Sequence, residues 1–125
     1  MSREQEKGID KLEEFCQLSI LYDFYGELLG EHKQQIFENY VQNDLSLAEI
    51  ADEAGISRQG VHDIIRRCTK ALKEYESKLK LAQKFDLTKK HITDIKHIAE
   101  KVLEDGDVSQ VKKIAEISEQ MLKEL

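Results

Sequence analysis

The sequence contains no proline. Nothing in it is therefore built to stop a helix from within, since proline both removes a backbone donor and clashes with the preceding turn. Valine, isoleucine and threonine do not cluster in alternating runs, so strands have no support either. Cysteine is scarce: Cys16 and Cys68 lie far apart, each among apolar helical neighbours. Both read as buried free thiols in a reducing compartment rather than as a disulfide framework. No apolar run approaches the ~18 residues of a membrane span. The opening MSREQEKGIDK lacks the apolar core of a secretory leader. These absences predict a cytoplasmic protein with no membrane span.

Chemistry is missing too. No glycine-rich phosphate loop occurs, which argues against an intrinsic nucleotide hydrolase. His32, His62, His91 and His97 do not fall at the clustered spacing of a metal site. Neither cysteine sits in the context of a nucleophile, and Glu13, Glu14, Glu104, Asp105 and Asp107 read as solvated charge. No cofactor and no enzymatic activity is expected.

What is present is helix-forming sequence. Leu, Glu, Lys, Ala and Gln dominate 125 residues, enough for one small domain or for one domain with an appendage. A first helix is predicted over about Asp10 to Leu29, with Asp10 as N-cap and Leu18, Leu21, Tyr22, Tyr25, Leu28 and Leu29 on one face. LYDFYGELL carries more apolar residues than one stripe needs. Two readings stand: a helix buried on several sides, or a self-association surface of Tyr22, Phe24 and Tyr25. A second helix is predicted over His32 to Gln42.

The stretch SLAEIADEAGISRQGVHDII, residues 46–65, is the most informative. Ser46 and Glu49 have capping-box spacing. Leu47, Ile50, Ala51 and Ala54 make a short apolar stripe. Gly55 can take the left-handed conformation that ends a helix, Ile56 can plug the core, and Ser57 caps the next helix. The pattern is a helix-turn-helix over about residues 46–68. With Val61 and Ile64 beneath, Arg58, Gln59, His62, Asp63 and Arg66 face outward. Arginine suits guanine and glutamine suits adenine in the major groove. Ser57 and the helix N-terminus can hold a phosphate, and Arg67, Lys70 and Lys73 follow as phosphate contacts.

The net charge is −6, which disfavours general adhesion to nucleic acid by the whole chain. Its distribution points the other way: residues 57–84 hold 8 basic and 3 acidic side chains. A second reading keeps the same fold as a protein-interaction module, and Asp63, a negative charge on the outer face, speaks for it.

The helix opened by Ser57 carries an unbroken stripe (Val61, Ile64, Ile65, Cys68, Leu72, Tyr75, Leu79, Ala82) to about Lys84. A break is predicted at Phe85 to Thr88. Two further helices follow, with Ile92, Ile95, Ala99, Val102 and Leu103 inward on one. The other turns Val111, Ile114, Ala115, Ser118, Met121, Leu122 and Leu125 inward. The predicted organisation is all-α: a helix-turn-helix domain over 1–84 and a C-terminal helical hairpin over 85–125.

The run SLAEIADEAGISRQGVHDIIRRCTKALKEYE resembles region 4 of sigma-70 type factors, in which a helix-turn-helix reads a promoter element. The longer run from LYDFYGELL to KALKEYE, about residues 18–84, resembles the YlxM family more closely. These are small bacterial helix-turn-helix proteins, usually encoded beside the signal recognition particle GTPase and its receptor. That resemblance implies a cytoplasmic regulatory protein acting in the signal recognition particle pathway. The partner it implies is a component of the particle; the helix-turn-helix itself calls for duplex DNA or RNA, and the aromatic first helix and the long fourth helix offer a surface for a second copy of the chain. The sigma resemblance implies that Arg58, Gln59, His62 and Asp63 meet bases. Where the family commonly has alanine, this chain has Gly60.

Overall fold

The computed structural model describes residues 3–125, with side chains from residue 8 onward. The residues read for a leader lie partly outside that range. Six α-helices and one 3-10 turn make up the described chain, with no strand among the described residues. In order they are α1 (Arg3–Tyr25), the 3-10 turn Gly26–Leu29, α2 (Glu31–Val41), α3 (Leu47–Ala54), α4 (Arg58–Leu79), α5 (Leu81–Asp105) and α6 (Val111–Glu124). The protein is all-α and contains the helix-turn-helix. Its contacts divide it into two compact units, residues 1–82 and 83–125.

The first unit is built on one core. Leu18, Tyr22 and Tyr25 of α1, Ile36, Phe37 and Val41 of α2, Ile50 and Ala51 of α3, and Val61, Ile65, Cys68 and Leu72 of α4 are all buried in it. Phe37, Val61 and Leu72 are wholly inaccessible. The buried positions of α1 and α4 fall three or four apart, and α2 and α3 contribute the adjacent pairs Ile36–Phe37 and Ile50–Ala51, so each helix turns an apolar side inward. The Tyr22 and Phe37 rings lie 5.9 Å apart, and those of Tyr25 and Tyr75 lie 6.0 Å apart. Such tilted aromatic pairs add to the burial of the rings themselves.

Several expectations are corrected here. Asp10 is not an N-cap, because α1 begins at Arg3 and passes through it. The helix stops at Tyr25, and Gly26–Leu29 continues as a 3-10 turn. Leu28 in that turn is exposed, while Leu29 packs against the core. Cys16 is exposed, not buried; it sits two positions before Leu18, on the opposite side of α1 from the core. Cys68 is buried as expected, and burial pushes its thiol above its ordinary range, so it packs as an inert apolar group.

Tyr22 and Tyr25 are not on a surface. They are 8% and 1% exposed within the single chain, so neither ring is available to a partner in this fold. Phe24 is half-buried against the same core. Gly26 explains the close packing here: a Cβ built on it would stand 2.7 Å from the Tyr22 ring. The ring packs against the one residue type that leaves room for it.

The break after α4 falls at Lys80, not at Phe85 to Thr88. Lys80 has φ 55 and ψ 30, a left-handed conformation that side chains with a Cβ adopt at a cost. Its local sequence offers no reason for it. The reason comes from α1: the Tyr25 hydroxyl donates to Glu76 Oε1 at 2.6 Å and accepts from the Leu81 N–H at 3.0 Å. Glu76 Oε1 also accepts from the Ala82 N–H at 3.0 Å. Two donors freed by starting a new helix are thereby satisfied.

The second unit pairs α5 with α6. The half-buried positions are His91, Ile95, Ile98 and Val102 on α5 and Ile114, Ile117, Met121 and Glu124 on α6. Ile92, Leu103, Val111 and Leu122, expected inward, are exposed. Ile95, Val102, Ile114 and Met121 face inward as expected, while His91 and Ile98 take the inward places expected of Ile92 and Ala99. The turn between the helices is organised by its acids: Asp105 accepts from the Asp107 N–H, and Asp107 from the Ser109 N–H. The bonds from Ser109 hold the Asp107 carboxyl below its ordinary range.

Candidate nucleic-acid interface

Two helix ends build the interface. Ser46 Oγ accepts from the Glu49 N–H at 3.1 Å, and Glu49 Oε1 accepts from the Ser46 N–H at 3.2 Å. This reciprocal pair fixes the start of α3. Gly55, at φ 71, ends it, and its N–H returns to the Ala51 carbonyl. Ile56 packs against the core directly after the turn. Ser57 then opens α4: its Oγ accepts from the Gly60 N–H at 3.0 Å. The Ser57 hydroxyl keeps its proton to donate, the Val61 N–H returns to the Ser57 carbonyl, and the Arg58 and Gln59 N–H groups lie at the helix N-terminus, where an anion can be held.

The two sides of α4 differ sharply. Val61, Ile65, Cys68 and Leu72 are buried. Gln59, Asp63, Arg66, Lys70 and Lys73 follow one another at alternating steps of four and three, which makes one continuous stripe on the outside. Arg58 and His62 flank it on one side and Arg67 on the other. All are exposed except Asp63, whose side chain is 40% exposed. A shallow groove lined by Arg66, Thr69, Lys70, Lys73, Glu74 and Ser77 continues the stripe toward the end of the helix.

Asp63 organises the middle of this surface. Its Oδ1 accepts from Gln59 Nε2 at 3.1 Å and lies 3.7 Å from Arg66 Nη2. His62 Nδ1 stands 4.0 Å away. Lys73 is drawn toward α1, with Nζ 3.7 Å from Glu14 Oε1. Arg58, Arg67 and Lys70 make no ion pair among the described residues. The cationic side chains open to a new anion are therefore Arg58 at the helix start and Arg67 and Lys70 a few turns on.

The carboxylate at Gln59+4 was visible in the sequence as a charge but not as a tether. The i, i+4 spacing of Gln59 and Asp63 was the available signal. The sequence-predicted residues Ser57, Arg58, Gln59, His62, Asp63, Arg66, Arg67, Lys70 and Lys73 all lie on α4 or at its cap, and the fold brings them to one accessible side, with Arg58 and Arg67 at its two margins.

The profile of the UPF0122 family, described as "Putative helix-turn-helix protein, YlxM / p13 like", matches residues 12–121. The chain belongs to the UPF0122 family. The UPF0122 protein of Clostridium novyi is 49% identical over 73 residues, covering 58% of this chain and 64% of that protein. That of Clostridium acetobutylicum is 40% identical over 103 residues, 80% of this chain and 89% of the relative. That of Caldanaerobacter subterraneus is 45% identical over 84 residues, 67% of this chain and 72% of the relative. The match thus spans less than two thirds of the Clostridium novyi protein. The family assignment covers the helix-turn-helix, α5, and α6 as far as Met121. Among the described residues no helix is long and apolar enough to cross a membrane.

Proposed function

We propose that this UPF0122 protein is a regulatory helix-turn-helix protein that binds nucleic acid, duplex DNA or structured RNA, through the outer face of α4. One observation carries the reading: a fully buried stripe of α4 stands opposite an exposed stripe of Gln59, Asp63, Arg66, Lys70 and Lys73. Gln59 and Arg66 supply base-reading chemistry. Arg58, Arg67 and Lys70 supply phosphate contacts, together with Ser57 and the helix N-terminus. His62 joins the reading edge. No catalytic step and no cofactor enters this function. We place it in the cytoplasm and in the signal recognition particle pathway, on the family resemblance carried by residues 18–84.

A second reading is favoured by Asp63. Its bond to Gln59 and its approach to Arg66 occupy the two side chains best suited to bases. In that reading α4 docks on a protein component of the signal recognition particle machinery and reads no sequence.

Fluorescence anisotropy separates the two. Labelled random duplex and signal recognition particle RNA are titrated with protein at low and then rising salt. The nucleic-acid reading expects binding that weakens steeply with salt, as counterions displaced from phosphates return. It also expects Arg58→Ala, Gln59→Ala and Arg66→Ala to weaken it. No binding to either probe at low salt overturns it, and capture of the particle's GTPase or its receptor then supports the second reading.

A further inference from the structure

The hairpin of α5 and α6 covers one side of each helix and leaves the neighbouring side bare. His91 Nε2 lies 3.1 Å from Glu124 Oε2. That contact sets the register, with Ile92 about level with Leu122, Ala99 with Ala115, and Leu103 with Val111. Each of these six follows directly after a half-buried position: 91, 98 and 102 on α5, 114 and 121 on α6, and 110 at the N-cap of α6. One residue is a rotation of ~100°. The bare stripes are therefore turned from the buried sides by the same angle in the same sense. Because the helices run in opposite directions, equal turns bring both stripes to one broad face of the hairpin.

That face is apolar. Ile92 is 53% exposed, Leu103 86%, Val111 43% and Leu122 70%, with Ala99 and Ala115 between them. Monomeric proteins seldom leave contiguous apolar patches larger than a few hundred Å². Neither helix has a fully buried residue, so the hairpin lacks the sealed interior that the first unit has.

We propose that this face is covered by the same face of a second copy, joined about a two-fold axis parallel to the helices. The product is an antiparallel four-helix bundle, in which α5 of one copy lies over α6 of the other at the same level. Charge supports this pairing over an unrelated occupant. The outer edge of α5 carries Lys96 and Glu100, and that of α6 carries Lys112 and Glu119. The axis brings Lys96 level with Glu119 of the other copy, and Glu100 within a turn of Lys112 of the other copy. Lys89 and Lys123, at the open ends, carry the same sign and oppose the association. Two such faces remove on the order of 1,000 Å² of surface, at the lower edge of specific interfaces. The dimer is therefore weak and concentration-dependent, and it stands independently of the nucleic-acid reading.

Sedimentation of the full chain from micromolar to millimolar concentration tests this. The mass is expected to rise from the 14.5 kDa of one chain toward twice that value. Leu103→Lys, at an exposed position, is expected to leave helicity unchanged and weaken the dimer at least tenfold. Lys96→Glu is expected to weaken it several-fold, and Lys96→Glu with Glu119→Lys to restore it. A monomer at every concentration overturns the proposal. So does a dimer indifferent to Leu103→Lys, or one lost instead on Leu12→Lys, an exposed change on α1. Failure of the double charge reversal to restore association points to a different occupant and overturns it too.

Discussion

Gln59 Nε2 donates to Asp63 Oδ1 at 3.1 Å, while the same oxygen stands 3.7 Å from Arg66 Nη2. One carboxylate thus holds in reserve the two side chains whose geometry best matches base edges. Exposed contacts of this kind are worth little to stability, about 0–1 kcal/mol. Their importance lies in what must be broken, or re-used, when a ligand approaches.

Asp63→Asn keeps an acceptor for Gln59 and removes the charge. Affinity for random duplex is expected to rise by about three- to tenfold at low salt, with a steeper salt dependence, since one repelling charge leaves the phosphate-facing side. Anisotropy titrations at several salt concentrations measure both. If Asp63 accepts from a cytosine amino group, the variant changes which sequences are selected more than it changes general affinity. Unaltered binding in every respect would remove α4 from the interface.

Arg66→Ala and Lys70→Ala are expected to separate reading from holding. Loss of a bidentate base contact costs about 1–3 kcal/mol and relaxes preference at one base pair. Loss of a phosphate contact weakens all sequences alike and lowers the salt slope by about 0.9. Selection from a random duplex pool with each variant, followed by salt titration, distinguishes the two. Identical losses in both would mean that Arg66 acts only as a charge.

Gly26→Ala is expected to destabilise the first unit by about 1–3 kcal/mol, the usual cost of forcing a methyl group into a filled core. The new Cβ meets Tyr22 ring carbons at 2.7 and 2.8 Å, and that ring is pinned against Phe37. Urea unfolding measures the loss. Tyr22→Leu in the same background should recover part of it, because a smaller side chain relieves the contact.

Alkaline pH is expected to unfold the first unit. Burial raises Tyr25 above its ordinary 10.0, and its hydrogen bond to Glu76 raises it further; burial raises Tyr22 as well. A raised tyrosine pKa means that the fold favours the protonated phenol. The associated stability is complete below about pH 10 and is lost as pH rises through the raised values. Tyr25→Phe should be less stable at neutral pH by about 1–3 kcal/mol, because Glu76 and the Leu81 N–H lose a partner. It should also decline less steeply under alkali. Thermal unfolding monitored from pH 7 to 11 checks both parts.

The helix-turn-helix was legible because each of its determinants is local. Ser46 and Glu49 are three apart, Gly55 needs only its own conformation, and Ser57 bonds three residues ahead. The outer stripe from Gln59 to Lys73 follows from helical spacing alone. The α4–α5 boundary was not legible, because residues 58–105 carry a nearly continuous helical pattern and what breaks it is a tyrosine more than fifty positions upstream. The inward side of α5 was placed only in part, with Ile95 and Val102 right and Ile92, Ala99 and Leu103 wrong, for a different reason. Its apolar arc is wide enough to hold two stripes, Ile95–Ile98–Val102 and Ile92–Ala99–Leu103, and hydropathy alone does not choose between them. The Tyr22–Gly26 contact was hidden because a glycine's lack of a side chain acquires meaning only once a ring is laid over it.

The left-handed Lys80 has a consequence for the size of any fragment taken from this chain. Between Gly60 and Gly106 there is neither glycine nor proline, so a peptide of residues 61–105 removed from α1 has no instruction to bend. Freed from the hydroxyl of Tyr25, it would draw out into a single rod about 65 Å long. Where the intact protein places a left-handed residue at Lys80, its excised part would continue as one helix.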